Sequence, residues 1–371
     1  MQRPEISRLD ASPEGLEVTW SGGESPVLYP WIWLRDHCPC SECTHPQTRQ
    51  RQFDTFAAEP SPRADAVERD GPDAIRIRWA GEPVHESVYP GELLRLALRR
   101  EPAPLRTLWD GAGIVASAPR VEHAAIEAGA AGHRQWLEAV DRYGFCFVDG
   151  VPTDPASTRV LAERVGYVRN SIFGDFWGFS DGLAHADTAY TSMALPAHTD
   201  GTYCIDPPGL QMLHCVEYDA EGGDSTLVDG FAAAESLRQD EPELFDVLAT
   251  TAVPGRYLDD GIHLEAWHPV VGLDRDGYLR RICFNNTDRA PFLPGADEST
   301  RFYRALAALA ERINAPEAEY RFQLRPGTVL LFDNWRVLHG RTAYRGRRQV
   351  IGCYLNHEDF ESRLRVLRQA A

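Results

Sequence analysis

His198-Thr-Asp200 sets an imidazole and a carboxylate two residues apart, a spacing that points both side chains to one face of a strand. A third candidate lies far downstream: His339, in Phe332-Asp-Asn-Trp-Arg-Val-Leu-His-Gly340, ahead of an apolar strand that begins near Arg348. Two histidines and one carboxylate form the facial ligand set that leaves three adjacent positions open on a non-haem Fe(II) ion, and soft thiolates are absent from it. Open positions mean that such a metal does chemistry. Taken singly, each residue has an ordinary reading, since a His-x-Asp pair often satisfies itself and His339 before Gly340 could sit in a turn; the joint pattern favours ligation. His214, His263 and His268 compete, but His214 lies within an apolar strand and the other two lack a nearby Arg-bearing strand, so they read as structural.

A second cluster has different chemistry. Cys38-Pro-Cys40-Ser-Glu-Cys43 puts three soft ligands on one tight loop, which binds zinc once a fourth ligand arrives. His37 and His45 are so close in sequence that reaching the free tetrahedral position strains the loop, whereas His85 follows the last strand of its module and can fold back. Four filled positions leave none for substrate, so this zinc is expected to be structural, steadying a module too small to be stable alone. Cys204, Cys215, Cys283 and Cys353 lie in or beside apolar segments and read as small core residues.

The elements that position these groups follow from periodicity. Residues 1–100 read as a small β-rich zinc-binding module, with strand-like Leu16–Trp20, the apolar and aromatic run Val27–Trp33, and strictly alternating Ile75–Trp79. Thr44–Asp73 is polar and proline-bearing and reads as a loop, Glu92–Leu98 as helix, and 101–132 as a linker. Residues 133–371 then form the larger domain. Helices are expected at Gln135–Tyr143, Pro155–Val165 and Ser299–Arg312, and strands at Phe145–Val148, Leu210–Cys215, Ser225–Val228, Leu279–Asn285, Thr328–Phe332 and Gln349–Leu355. The fold class is mostly β with flanking helices, a sandwich or barrel buttressed on its outside.

Composition limits the partners. With 55 acidic against 38 basic residues the formal charge is −17, which repels polyphosphate, so nucleic acid is excluded as a partner. No stretch approaches eighteen apolar residues and the first residues lack an apolar signal core, so no membrane partner and a cytoplasmic setting are expected.

The spacing of His198, Asp200, His339 and Arg348 resembles the γ-butyrobetaine and trimethyllysine hydroxylases, within the Fe(II)- and 2-oxoglutarate-dependent dioxygenases. Trp33-Leu-Arg-Asp-His-Cys-Pro-Cys-Ser-Glu-Cys43 is similar to that family's zinc module. Pro208-Gly-Leu-Gln-Met-Leu-His-Cys215, Val228-Asp-Gly-Phe231, Asn285-Asn286 and Asp333-Asn-Trp-Arg-Val-Leu-His-Gly-Arg341 are similar to its catalytic half. The resemblance spans nearly the whole chain. It implies a double-stranded β-helix (jelly roll), Fe(II), 2-oxoglutarate, O2 as cosubstrate, a structural zinc and a homodimer. The distal carboxylate of 2-oxoglutarate then needs a fixed cation, and Arg348 suits it as a two-pronged donor, because neighbouring Arg347 points to the opposite strand face. A hydroxyl of Ser225 or Thr226 assists in this reading.

For the substrate, the resemblance implies a small trimethylammonium zwitterion. A quaternary ammonium has no N–H to donate, so aromatic faces and diffuse negative charge hold it. Phe173, Trp177, Tyr190 and Tyr354 are similar in position to the family's aromatic cage, although such residues are more commonly core; Phe176 and Phe179 are left as packing. Asn285, Asn286 and Arg289 suit the anionic end. Asp187 stands where γ-butyrobetaine hydroxylases carry Asn, and Tyr203 adds a hydroxyl they lack; both features are similar to the trimethyllysine enzymes, where an acid suits an α-ammonium. Extra donors equally suit a phosphonate. The expected substrates are 2-trimethylaminoethylphosphonate or γ-butyrobetaine, then trimethyllysine, a step of carnitine biosynthesis. Two other readings are a catalytically silent betaine-binding module, opposed by the complete His198, Asp200, His339 and Arg348 set, and a His/Asp hydrolase, opposed by the lack of a Gly-x-Ser-x-Gly elbow.

Overall fold

The computed structural model describes residues 5–23, 25–98, 105–179 and 187–370. The chain forms two compact units, Met1–Pro102 and Ala103–Ala371.

The first unit holds two three-stranded antiparallel sheets, Ile6–Ala11 with Gly15–Trp20 and Val27–Pro30, and Ala64–Arg69 with Ala74–Trp79 and His85–Pro90. Ile75, Ile77 and Trp79 face inward and join Leu16, Val18, Trp20 and Tyr89 in one core. Three local expectations change. The run Val27–Trp33 leaves the sheet at Pro30 and turns into the helix Trp31–Asp36, which buries Trp31 and Leu34 at helical spacing. The expected loop Thr44–Asp73 contains the strand Ala64–Arg69, an edge strand whose weak alternation hid it. His85 opens a strand of its own, paired with Trp79, and this hairpin carries it back toward the cysteines.

The second unit is a double-stranded β-helix. Its larger sheet runs Trp177–Phe179, Tyr344–Leu355, Leu210–Gly222, Thr328–Asp333, Phe145–Asp149, Arg120–Glu122, with Val168–Arg169 paired beside Tyr344–Leu355. The smaller sheet runs Leu195–His198, Val337–Arg341, Ser225–Asp229, Tyr320–Phe322. Phe147, Leu213, Leu330 and Val350 meet Leu227 and Tyr320 between the sheets. Helices Ala130–Tyr143, Pro155–Val165 and His357–Gln369 cover the larger sheet, and Gly230–Asp240, Pro242–Thr250 and Ala296–Ile313 the smaller. This layering explains the strand Leu210–Gly222: Leu210 and Met212 pack under helices, while Gln211 and Leu213 face the interior between sheets.

The stretch expected as a linker, 101–132, is structured where described and lies in the second unit from Ala103 onward. Arg120–Glu122 adds a parallel strand beside Phe145–Asp149, and Trp109 packs edge-on against Phe145. Its short polar elements carry too little periodicity to announce themselves. Among the described residues no helix is long and apolar enough to cross a membrane.

Candidate active site and zinc cluster

In the first unit, His85 Nε2 lies 3.3, 3.7 and 3.6 Å from the sulfurs of Cys38, Cys40 and Cys43. With Zn–S near 2.3 Å and Zn–N near 2.0 Å, the edges of a tetrahedron are about 3.6 Å, so these four residues fit one zinc ion. The surroundings suit thiolates: Ser87 Oγ donates to Cys38 Sγ at 2.9 Å, Trp79 Nε1 donates to Ser87 Oγ at 2.8 Å, and Arg35 Nη1 reaches Cys43 Sγ at 3.2 Å. Burial pushes the Cys38 thiol up to about 12, so a cation is needed to hold it as thiolate. His85 Nδ1 faces Glu42 at 3.5 Å, the kind of outer partner that orients a metal-bound imidazole. Cys40→Ser is expected to lose zinc and to melt the first unit at lower temperature, read by metal analysis and calorimetry, because binding energy on the order of 10 kcal/mol is folding energy in such modules. A variant of unchanged stability contradicts a structural zinc.

In the second unit, His198 ends the strand Leu195–His198 and pairs directly with His339 on the neighbouring strand. Asp200 lies just beyond the strand, yet its carboxylate meets both rings, 3.2 Å from His198 Nε2 and 3.6 Å from His339 Nε2. The three ligand atoms lie within 4.8 Å of one another and could hold one metal ion. His198 Nδ1 is 2.8 Å from the Pro196 carbonyl, which can only accept, so Nδ1 carries a proton and Nε2 is the nitrogen that faces the cluster. Burial opposes the charged form of His198, but the hydrogen bond and charge of Asp200 outweigh it and lift the imidazole to about 9. Burial brings His339 down to about 3. For Asp200, burial is outweighed by His339, His198 and the Tyr354 hydroxyl, which hold it far below the usual carboxylate range.

The motif around His339 supplies the frame. Asn334 accepts from the Asp200 amide at 2.8 Å and donates to the carbonyls of Asp200 and Pro208, fixing the loop that bears the carboxylate. Trp335 donates to the Pro207 carbonyl at 3.1 Å and stacks flat on His357, whose Nε2 lies 3.5 Å from Asp333. Arg336 is fully buried in a two-pronged pair with Asp229, at 3.1 and 2.7 Å.

His198, Asp200 and His339 line a cavity of about 900 Å³. Arg348 is buried in its wall, 3.4 Å from Ser225 Oγ, with Thr226 nearby on the same strand and a buried Nε that lacks a partner among the described residues. An orphaned guanidinium nitrogen beside a hydroxyl fits a carboxylate such as that of 2-oxoglutarate. Arg347 points outward to Glu217. Arg341, buried beside Arg348, holds the carbonyls of Thr191 and Met193 and so ties down the segment after Tyr190.

Toward the other end the aromatics fall into two groups. Trp177 and Tyr354 stand 5.3 Å apart, and the Tyr354 hydroxyl donates to Asp200 at 2.8 Å. Phe173 contacts Tyr190 and Tyr257, and Tyr257 contacts Tyr203 at 5.2 Å. Asp187 accepts from the Ala189 amide at the cavity edge. Asn285 does not point freely into the cavity: its amide donates to Asp288 at 2.8 Å and its carbonyl accepts from Thr287. Asn286 accepts from Arg289, whose other arm reaches the Tyr303 hydroxyl, leaving Arg289 Nε buried without a partner among the described residues.

Three lining residues were not expected from sequence. Tyr257 sits on the hairpin Ala252–Asp259 with Ile262–Pro269, whose role depends on its distant packing. Asp288 is pushed up to about 7 by burial and by the charge of Asp200. Gln211, with its carbonyl oxygen buried and without a partner among the described residues, lies between Tyr354 and Phe332; a polar residue at an inward position of an apolar strand was the available signal. His268, read as structural, also lines the cavity, where it bonds the Cys204 carbonyl at 2.6 Å and Arg281 at 3.0 Å. Phe176 packs against the helical layer as expected, whereas the packing of Phe179 falls outside the described side chains.

Residues 113–354 match the model of the taurine catabolism dioxygenase TauD, TfdA family, and residues 7–95 that of the gamma-butyrobetaine hydroxylase-like N-terminal domain. The chain is 34% identical to trimethyllysine dioxygenase of Meyerozyma guilliermondii, over 98% of this chain and 96% of that protein. It is also 34% identical to gamma-butyrobetaine dioxygenase of Pseudomonas sp. (strain AK-1), over 96% and 94%. Among solved structures, a taurine dioxygenase from Burkholderia xenovorans superposes with a TM-score of 0.51 at 18% identity, over 64% of this chain and 88% of that one, a likeness of fold.

Proposed function

The chain belongs to the TauD/TfdA dioxygenase family and is an Fe(II)- and 2-oxoglutarate-dependent hydroxylase of trimethylammonium substrates, and we propose that its substrate is trimethyllysine. When bound, iron, 2-oxoglutarate and dioxygen supply oxidative decarboxylation to succinate and carbon dioxide, coupled to hydroxylation of one C–H bond. His198, Asp200 and His339 hold the iron in this reading. Arg348, with Ser225 and Thr226, binds the far carboxylate of 2-oxoglutarate and fixes its direction. Asn334 and Tyr354 keep Asp200 oriented, the first through its backbone and the second through its carboxylate.

The observation that carries the substrate assignment is the pair Asp187 and Asp288 lining the cavity beside its aromatic wall. The electrostatic influence of Asp187 reaches Asp288, and both act on Tyr203. Two carboxylates suit a substrate with an α-ammonium as well as a trimethylammonium group, whereas a betaine has no second cation and a phosphonate adds negative charge. Trp177, Tyr354, Phe173 and Tyr190 face the trimethylammonium end, and Arg289 with Asn286 takes the α-carboxylate. This moves trimethyllysine ahead of 2-trimethylaminoethylphosphonate and γ-butyrobetaine, which led on sequence alone. The trimethyllysine dioxygenase relative supports the same order.

Asp288→Asn tests this directly. It is expected to lower kcat/KM for trimethyllysine by about tenfold, the scale of one lost charged contact, and to leave γ-butyrobetaine nearly unaffected. Equal losses for both remove Asp288 from substrate recognition. A cytoplasmic homodimer completes the proposal, its assembly state being read from the mass of the chain in solution.

A further inference from the structure

We infer that Gly352 is a specificity-determining position, which acts by setting where the Trp177 indole stands in the cage. The inference rests on the reading of Trp177 as a wall of the trimethylammonium site. Trp177 and Gly352 are direct cross-strand partners in the antiparallel pairing of Trp177–Phe179 with Tyr344–Leu355. A Cβ at position 352 would stand 1.9, 2.1 and 2.5 Å from Cζ3, Cη2 and Cε3 of Trp177. The six-membered ring of the indole therefore lies on the space that a side chain would fill.

Conformational freedom is not the reason for glycine here. Gly352 is absent from the residues with positive φ, so its backbone suits any residue, and the atoms nearest to an added Cβ are those of the indole. Trp177 is 5% exposed, and Tyr354, on the same strand face as Gly352, bounds it at 5.3 Å. The strand bearing Trp177 is an edge strand with three paired positions, so the cross-strand packing of indole on glycine carries much of its placement. An added methyl group has to drive the ring about 1.5 Å away to restore ordinary contact at 3.4 Å. Such a shift tilts the face that a quaternary ammonium needs, since the attraction depends on the cation standing over the ring within about 6 Å of its centre. Iron and 2-oxoglutarate are bound by other residues in the proposed scheme, so the effect falls on substrate selectivity. Gly352 is thus a positioning residue for Trp177.

The experiment compares Gly352→Ala, Trp177→Phe and the double variant in the full chain, loaded with Fe(II) and zinc. Near-ultraviolet circular dichroism reports the indole, and KM and kcat are measured with trimethyllysine and with 2-oxoglutarate. Gly352→Ala is expected to change the Trp177 contribution to the spectrum and to raise KM for trimethyllysine about tenfold, with KM for 2-oxoglutarate within about twofold of the parent. In the Trp177→Phe background, where the benzo ring is gone, the same alanine is expected to add less than about twofold. If Gly352→Ala alone does not fold while the double variant does, the same packing is established by stability. An unchanged indole signal, or penalties that add fully in the double variant, overturns the inference. A changed indole signal with unchanged KM instead overturns the placement of Trp177 in the cage, so the two readings fail separately.

Discussion

Asp200→Ala is expected to give a folded chain that binds iron poorly and forms succinate at less than about one-thousandth of the parent rate. Outer partners of metal ligands cost roughly 10–100-fold when removed, and a group that contacts the metal itself must exceed that. Asp200 contributes the only negative charge of the three-residue set, and its carboxylate faces both imidazoles, at 3.2 and 3.6 Å. The fold is expected to survive because Asn334 holds this loop through the Asp200 backbone, not its side chain. Iron retention and succinate formation measure the effect together. A variant with full turnover removes the three-residue set from the chemistry.

Arg336→Ala is expected to destabilise the second unit by about 3–5 kcal/mol, read from urea unfolding. The side chains of Arg336 and Asp229 are 1% and 0% exposed, and the guanidinium also donates to the carbonyls of Arg142 and Thr107. Removing the arginine leaves a carboxylate buried without its cation, which costs more than the pair contributes. Asp229 keeps some support, since it accepts from the amides of Phe231 and Trp109 and caps the helix Gly230–Asp240. Arg336→Met with Asp229→Leu is therefore expected to recover only part of the loss. A loss below about 1 kcal/mol in Arg336→Ala contradicts this account of the buried pair.

Much of this was legible in the residues. Ligand type and local spacing singled out Cys38, Cys40 and Cys43, and strand parity separated Arg348 from Arg347; the structure buries the former and exposes the latter. His85 and His339 were found by type and by the lack of a better partner, and in each case a strand pairing brings the residue to its cluster. What stayed hidden depended on contacts between distant segments. Asp288 reads as an ordinary loop acid until Asn285, Thr202 and the hairpin residue Arg256 close around it. Tyr257 is one aromatic in an alternating hairpin, and only its packing on Phe173 and Tyr203 makes it a wall. Arg336, in the same motif as His339, is the cation of a buried structural pair, which only its contact with distant Asp229 reveals. Sequence also could not say that Asn285 spends its amide on Asp288, which in the proposed scheme leaves the anionic end to Asn286 and Arg289.

In the proposed reaction this cavity couples 2-oxoglutarate decarboxylation to hydroxylation of a trimethylammonium amino acid. Succinate formation by the Fe(II)-loaded protein, with 2-oxoglutarate and oxygen, is measured with trimethyllysine, γ-butyrobetaine and 2-trimethylaminoethylphosphonate side by side. Succinate and hydroxylated product are expected to rise together with trimethyllysine and far more slowly with the other two. Preference for the phosphonate or the betaine contradicts the assignment of Asp187 and Asp288, and no coupled product with any of the three contradicts the cage itself.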